Sequence, residues 1–178
     1  MTRPSDITSI GANDLVDEAG SLSALLALNT AHEVELSPLT APRLRQLVAA
    51  AFAAWRIGEA EAFLIAFDQN ADYDSANFVW FRERYARFVY VDRVAVAAEA
   101  RGRGHARRLY ERLFDLAREA GHDIIVCEVN SSPPNPGSDA FHRALGFMEV
   151  GSGPVAGTAK TVRYLLRRLD AGERDGLR

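Results

Sequence analysis

One cysteine in 178 residues, Cys127, is too few for an intrachain disulfide framework or a cysteine-based metal cluster. It closes the apolar run Ile124-Ile125-Val126, a setting for a packed thiol and not for a nucleophile. The four histidines, His32, His105, His122 and His142, have no paired metal-ligand spacing, so no metal is expected. No Gly-Lys-Ser/Thr ends a phosphate loop, no third glycine completes a dinucleotide fingerprint, and no Gly-x-Ser-x-Gly presents a serine nucleophile. Apolar runs fall well short of the roughly 18 residues that a membrane span needs. The first residues lack a basic stretch followed by an apolar core, so a cytoplasmic protein with no membrane partner is expected.

With 48% hydrophobic and 25% charged residues, the chain has the make-up of an ordinary soluble domain with a sizeable core. The organisation expected is a loosely ordered segment over 1–20, one domain over 21–170 and a tail over 171–178. Net charge is −3, but unevenly spread: residues 82–118 hold ten Arg against five acids, and residues 1–81 hold four Arg against eleven acids. Such an arginine block can attract nucleic acid, but the acidic balance elsewhere and a pI near 5.8 argue against a polyanion partner.

Hydrophobic periodicity orders the chain. Ile7 to Ile10 suits a short first strand, Leu22, Leu25, Leu26 and Asn29 a short helix, and Thr40-Ala41-Pro42 a capped helix start before Leu44, Leu47, Val48, Ala51 and Phe52. Ala62–Phe67 reads as a buried strand ended by Asp68-Gln69-Asn70, and Asp74 as the cap of an aromatic helix reaching Tyr85. Strand 88–96, helix 104–120, strand 123–130, helix 135–145 and strands 148–150 and 161–169 follow. This alternation predicts an α/β fold with a mixed sheet covered by helices on both faces.

Arg101-Gly102-Arg103-Gly104-His105-Ala106 lies between the strand 88–96 and the helix that follows it. Two glycines allow a tight turn and a close ligand approach, and the unpaired N–H groups of the helix start favour an anion there. Arg101, Arg103, Arg107 and Arg108 add guanidinium groups suited to phosphate. An ordinary strand-to-helix turn with solvated arginines is the competing reading.

Arg101-x-x-Gly104-x-Ala106, preceded by Val94-Ala95-Val96, resembles the coenzyme A signature of the GNAT superfamily of N-acetyltransferases. Further along, Cys127-Glu128-Val129, Asn135, Ser138 and Phe141-His142-Arg143-Ala144-Leu145-Gly146-Phe147 resemble that superfamily's second central strand, asparagine and Gly-Phe ending. The matching stretch runs from about Phe88 to Val150. Two positions depart from the pattern: His142 stands where it usually has Tyr, and Ala98 where it usually has Pro.

The resemblance implies a GNAT fold, with a centrally splayed sheet, acetyl-CoA as cosubstrate and an acetyl group passed directly to a primary amine. It places the cosubstrate on Val94, Ala95, Val96, Arg101, Gly102, Arg103, Gly104, His105, Ala106, Asn135, Ser138 and Phe141. Backbone at Val94 and Val96, left unpaired by the splay, would meet the pantetheine arm. The acceptor would be a small-molecule or peptide amine, and a homodimer is compatible with the family.

Three side chains carry the expected chemistry. A lysine-like ammonium near pKa 10.4 costs roughly 4–5 kcal/mol to deprotonate at pH 7, and an α-amino group near 7.8 about 1 kcal/mol, so a base is useful. The resemblance places a glutamate base at Glu128 in some members and a base at Asp92 in others, each acting through water. Pairing of Asp92 with Arg93 or Arg87, and a structural Glu128, are the alternatives. His142 can protonate a departing thiolate or merely pack. Tyr73, Phe78, Trp80, Phe81 and Tyr85, around Asp74, Asn77, Arg82 and Glu83, suit either an acceptor pocket or a buried aromatic stripe. A non-catalytic acyl-CoA-binding module with a lost acid is the other reading of the whole chain.

Overall fold

Residues 6–16 and 20–170 are described by the structure, a computed structural model. Strands β1 (Ile7–Ser9), β2 (Ala53–Ile57), β3 (Ala62–Asp68), β4 (Val89–Val96), β5 (Ile124–Ser132), β6 (Met148–Pro154) and β7 (Thr161–Arg168) form one sheet in the order β1-β2-β3-β4-β5-β7-β6. Every neighbouring pair is antiparallel except β4 and β5, which are parallel. Helices α1 (Ser21–Ala31), α2 (Ala41–Ala50), α3 (Ala76–Arg82), α4 (His105–Glu119) and α5 (Pro136–Ala144) cover it.

Because successive strand side chains point to opposite faces, the unbroken apolar run of β3 feeds two cores. Phe63, Ile65 and Phe67 pack with Leu22, Leu25 and Leu28 of α1, Leu44 and Leu47 of α2, and Phe78 and Phe81 of α3. Ala62, Leu64 and Ala66 pack with Leu109, Leu113 and Phe114 of α4 and with Leu145. The first three helices therefore cover one face, and α4 and α5 the other. Helix α4 stops where Gly121, at φ +79°, turns left-handed, and His122 N–H returns to the Ala117 carbonyl at 2.8 Å.

Several boundaries differ from the periodicity. Helix α2 ends at Ala50 and not at Phe52, and Ala53–Ile57 is a strand that the alanine-rich run 49–54 conceals. Alanine favours helix, but Ala53, Trp55 and Ile57 turn inward while Ala54 and Arg56 are half-buried, and the sheet decides. Ser75, not Asp74, is the N-cap of α3, which ends at Arg82. Strand β6 runs on to Pro154. At Gly151 a Cβ would stand 2.6 Å from the Trp80 ring, which itself stacks on Tyr164 at 4.0 Å. Within the segment expected to be loose, β1 pairs with β2 and Leu15 is buried; residues 1–5, 17–19 and the expected tail 171–178 lie outside the described residues.

Candidate active site

The parallel pair β4–β5 stays in register only at Val89–Ile125 and Tyr90–Val126. Beyond Tyr90 the two strands part, so the edge of β4 that carries Val94 and Val96 meets no partner from β5. A bulge in β4 shifts the register so that Ala66 faces Val91 while Ile65 faces Arg93, which leaves Asp92 as the extra residue. Asp92 and Arg93 consequently both turn toward the α1 face. The gap opens a cavity of about 680 Å³ that pierces the sheet. Asn77, Asp92, Arg93 and Glu128 line it on one face, and Tyr110, Cys127, Ser138 and His142 on the other.

At the mouth of the gap the chain makes its glycine-arginine turn. Gly102 and Gly104 both have φ +76°, and a Cβ on either would meet nothing within 4 Å, so the turn faces open space. The first backward bond of α4 is Arg108 N–H to the Gly104 carbonyl at 3.0 Å, leaving the N–H groups of His105, Ala106 and Arg107 without an intrahelical acceptor. Arg101 lines the cavity. Arg103 instead turns back, donating to the Glu99 carbonyl at 3.1 Å and standing 3.8 Å from Glu61. The His105 ring is buried against Glu61 at 2.9 Å, so only its backbone faces the turn.

Glu128 has the sharpest electrostatics. Its Oε1 accepts from the Tyr90 hydroxyl at 2.9 Å and from Asn77 Nδ2 at 3.0 Å, and Tyr164 steadies Asn77 by donating to its Oδ1 at 3.2 Å. Its Oε2 is buried without a protein partner. Burial, and then the nearby charge of Asp92, push the carboxyl up to about 8 against the smaller opposing effect of the two donors.

This displacement has a measurable consequence. Glu128 keeps its proton in the folded chain up to about 8, whereas an unfolded glutamate loses it near 4.3. Between those values the folded state binds the extra proton, so stability is greatest below the unfolded value and declines as pH rises through the folded one. Glu128→Gln keeps the shape and the acceptor while removing that decline. The melting temperature of the variant relative to the parent should rise by roughly 5–10 °C between pH 5 and pH 8.5, and a constant difference would show that Glu128 is not strained by burial.

Asp92 is committed differently. One oxygen accepts from Tyr73 and the other from Arg93 Nε at 2.7 Å, with both charged side chains almost wholly buried. Arg93 also donates to Asn29 of α1 at 2.8 Å and to the Ser37 carbonyl at 3.4 Å. The pairing with Arg93 expected as an alternative thus forms, and Arg87 instead donates to the Ala120 carbonyl. The aromatic block divides similarly. Phe78 and Phe81 are core, Tyr73 serves Asp92, and Trp80 stacks under Tyr164, so only Asn77 of that block reaches the cavity.

On the opposite face, Asn135 caps α5 by accepting from Ser138 N–H at 3.2 Å. Ser138 and His142 line the cavity, while Phe141 packs edge-on against Tyr110 and outside the lining. Tyr110, which neither periodicity nor motif singled out, lies between Cys127 and His142. Also unforeseen are the α1–α2 connection and the β6–β7 hairpin. They meet over the cavity where Lys160 Nζ and Asn130 Nδ2 both donate to the Val34 carbonyl, at 2.7 and 3.2 Å. Among the described residues no group of side chains has the make-up of a metal site, and no helix is long and apolar enough to cross a membrane.

A parallel strand pair that splays beside a glycine-rich helix start belongs to the acyl-CoA N-acyltransferase class of folds. The chain belongs to the acetyltransferase (GNAT) family, whose description matches residues 28–147. It is 33% identical over 85 residues to the L-amino acid N-acyltransferase MnaT of Escherichia coli, and 29% identical over 82 residues to an L-2,4-diaminobutyric acid acetyltransferase of Wolinella succinogenes. These matches cover 48% and 46% of the chain, but only 45% and 47% of the respective relatives. In three dimensions it is similar to yncA of Salmonella typhimurium, an acetyltransferase structure with acetyl-CoA, at a TM-score of 0.66 and 19% identity, covering 93% of this chain and 94% of that one.

Proposed function

We propose that the protein transfers an acetyl group from acetyl-CoA to a primary amine, the amine attacking the thioester carbonyl directly while Glu128 removes its proton. The observation that carries this reading is the Glu128 carboxylate itself. It is buried beside a gap between parallel strands, with one oxygen held by two donors and the other unpartnered. An unpartnered buried oxygen is costly unless a ligand or water completes it. The open glycine turn and the free N–H groups of α4 suit the diphosphate of coenzyme A, and the acetyl-CoA bound to the Salmonella relative supports the same assignment.

The proton balance favours one acceptor class. A base near 8 takes a proton from an α-amino group near 7.8 at almost no cost, whereas a lysine-like ammonium at 10.4 costs roughly 3 kcal/mol more. We therefore assign an α-amino group as the preferred nucleophile, in keeping with the E. coli relative named for L-amino acids. Asp92, with both oxygens engaged, serves to hold Arg93 and Tyr73.

Coenzyme A release measured over a panel of amines tests the function, with free amino acids and peptide N-termini expected to react faster than side-chain-type amines. Release that no amine accelerates would leave an acyl-CoA-binding module. For the binding step, acetyl-CoA should raise the melting temperature, and Gly104→Asp should abolish the rise, because it places a carboxylate in a phosphate turn and forces a side chain to φ +76°. An undiminished shift in that variant would put the diphosphate elsewhere.

A further inference from the structure

The α5 helix lacks the tyrosine usual at the position of His142, yet a phenol reaches the same side of the gap from a different helix. The Tyr110 hydroxyl, on α4, lies 2.8 Å from His142 Nε2. His142 Nδ1 lies 2.8 Å from the Ser138 carbonyl, which can only accept, so Nδ1 carries the proton and Nε2 presents a lone pair to the phenol. The ring is buried, with Phe141, Phe147 and Tyr110 meeting it edge-on. In this tautomer Nε2 has no proton to offer, whereas Tyr110 has one.

We propose that Tyr110 is the hydrogen-bond donor to the departing coenzyme A thiolate, and that His142 is the residue that positions it. The proposal rests on the acetyl-transfer reading above. It follows from the two faces of the gap. Glu128 and Asn77 lie toward α3, so an amine activated there approaches the carbonyl from that face; Tyr110, Cys127 and His142 line the other, toward which the sulfur leaves.

The bonds balance without a further reactant. The amine nitrogen forms the new C–N bond and the C–S bond breaks with its electron pair on sulfur. The Tyr110 O–H swings its hydrogen bond from His142 Nε2 to that sulfur and keeps its proton, since a thiol near 8.5 is a stronger acid than a phenol near 10. The amine proton taken by Glu128 finally neutralises the thiolate through solvent.

The test reads the thiol directly and needs no acceptor. Coenzyme A bound to the full chain is titrated by the ultraviolet absorbance of its thiolate. With the parent protein the bound thiol should ionise more easily than in Tyr110→Phe, by roughly tenfold in thiolate at a given pH, with coenzyme A affinity changed less than about threefold. His142→Gln, whose amide oxygen can accept from the phenol, should keep most of this difference, and His142→Leu should lose it. Equal titrations in the parent and Tyr110→Phe, both with coenzyme A bound, overturn the proposal while leaving acetyl transfer intact. Absence of coenzyme A binding in the parent overturns both. Should Tyr110→Phe fail to fold, the two His142 variants decide, and identical titrations in them count against the proposal.

Discussion

Glu128→Gln is expected to lower turnover by roughly 10²–10³-fold with the affinity for acetyl-CoA nearly unchanged. Glutamine keeps an oxygen for Tyr90 and Asn77, so the local packing survives. What disappears is the buried lining carboxyl whose second oxygen has no protein partner, and hence the proton acceptor. The defect should shrink at high pH, where more of the amine is already neutral. Steady-state kinetics with an amine identified in the panel measure this, and a loss confined to KM would instead make Glu128 a binding group.

Arg93→Leu should be the most destabilising single change near the site, by about 3–5 kcal/mol. Asp92 and Arg93 are both almost fully buried, and removing the guanidinium strands a carboxylate in an apolar layer and takes the donor from Asn29 Oδ1, while the Ser37 carbonyl keeps Asn29 Nδ2. Chemical denaturation gives the loss directly. Asp92→Asn retains an acceptor for Arg93 and should cost less, and its turnover should fall much less than that of Glu128→Gln. A larger and pH-rescued loss of turnover in Asp92→Asn would reverse the assignment of the base.

The glycine-arginine turn was legible in the sequence because it is local: two glycines, an arginine block and the change from strand to helix periodicity lie within a few residues. Glu128, Asn135 and Ser138 were legible by resemblance, and the structure places all three around one gap. The bonds that define the site are not local. Asn77 meets Glu128 across 51 residues, Tyr90 meets it across 38, and Tyr110 meets His142 across 32. Sequence reasoning places Tyr110 only within the helical run 104–120 and is silent about what lies opposite it. The same limit hid β2, where alanine's helix preference outweighed a short alternation until pairing with β1 and β3 decided it. Arg103 and His105 carried the right motif, but Glu61 from another element draws both side chains away from the turn.

The most direct test of Glu128 as the base is the pH dependence of kcat in the parent, Glu128→Gln and Asp92→Asn. With a lysine-like acceptor, whose own ionisation near 10.4 lies clear of it, the site predicts activity that rises with pH through an ionisation near 8 in the parent and through a lower one in Asp92→Asn, where the charge that helps raise Glu128 is gone, while in Glu128→Gln activity rises only with the amine itself. An ionisation near 8 that persists in Glu128→Gln and vanishes in Asp92→Asn would contradict the account.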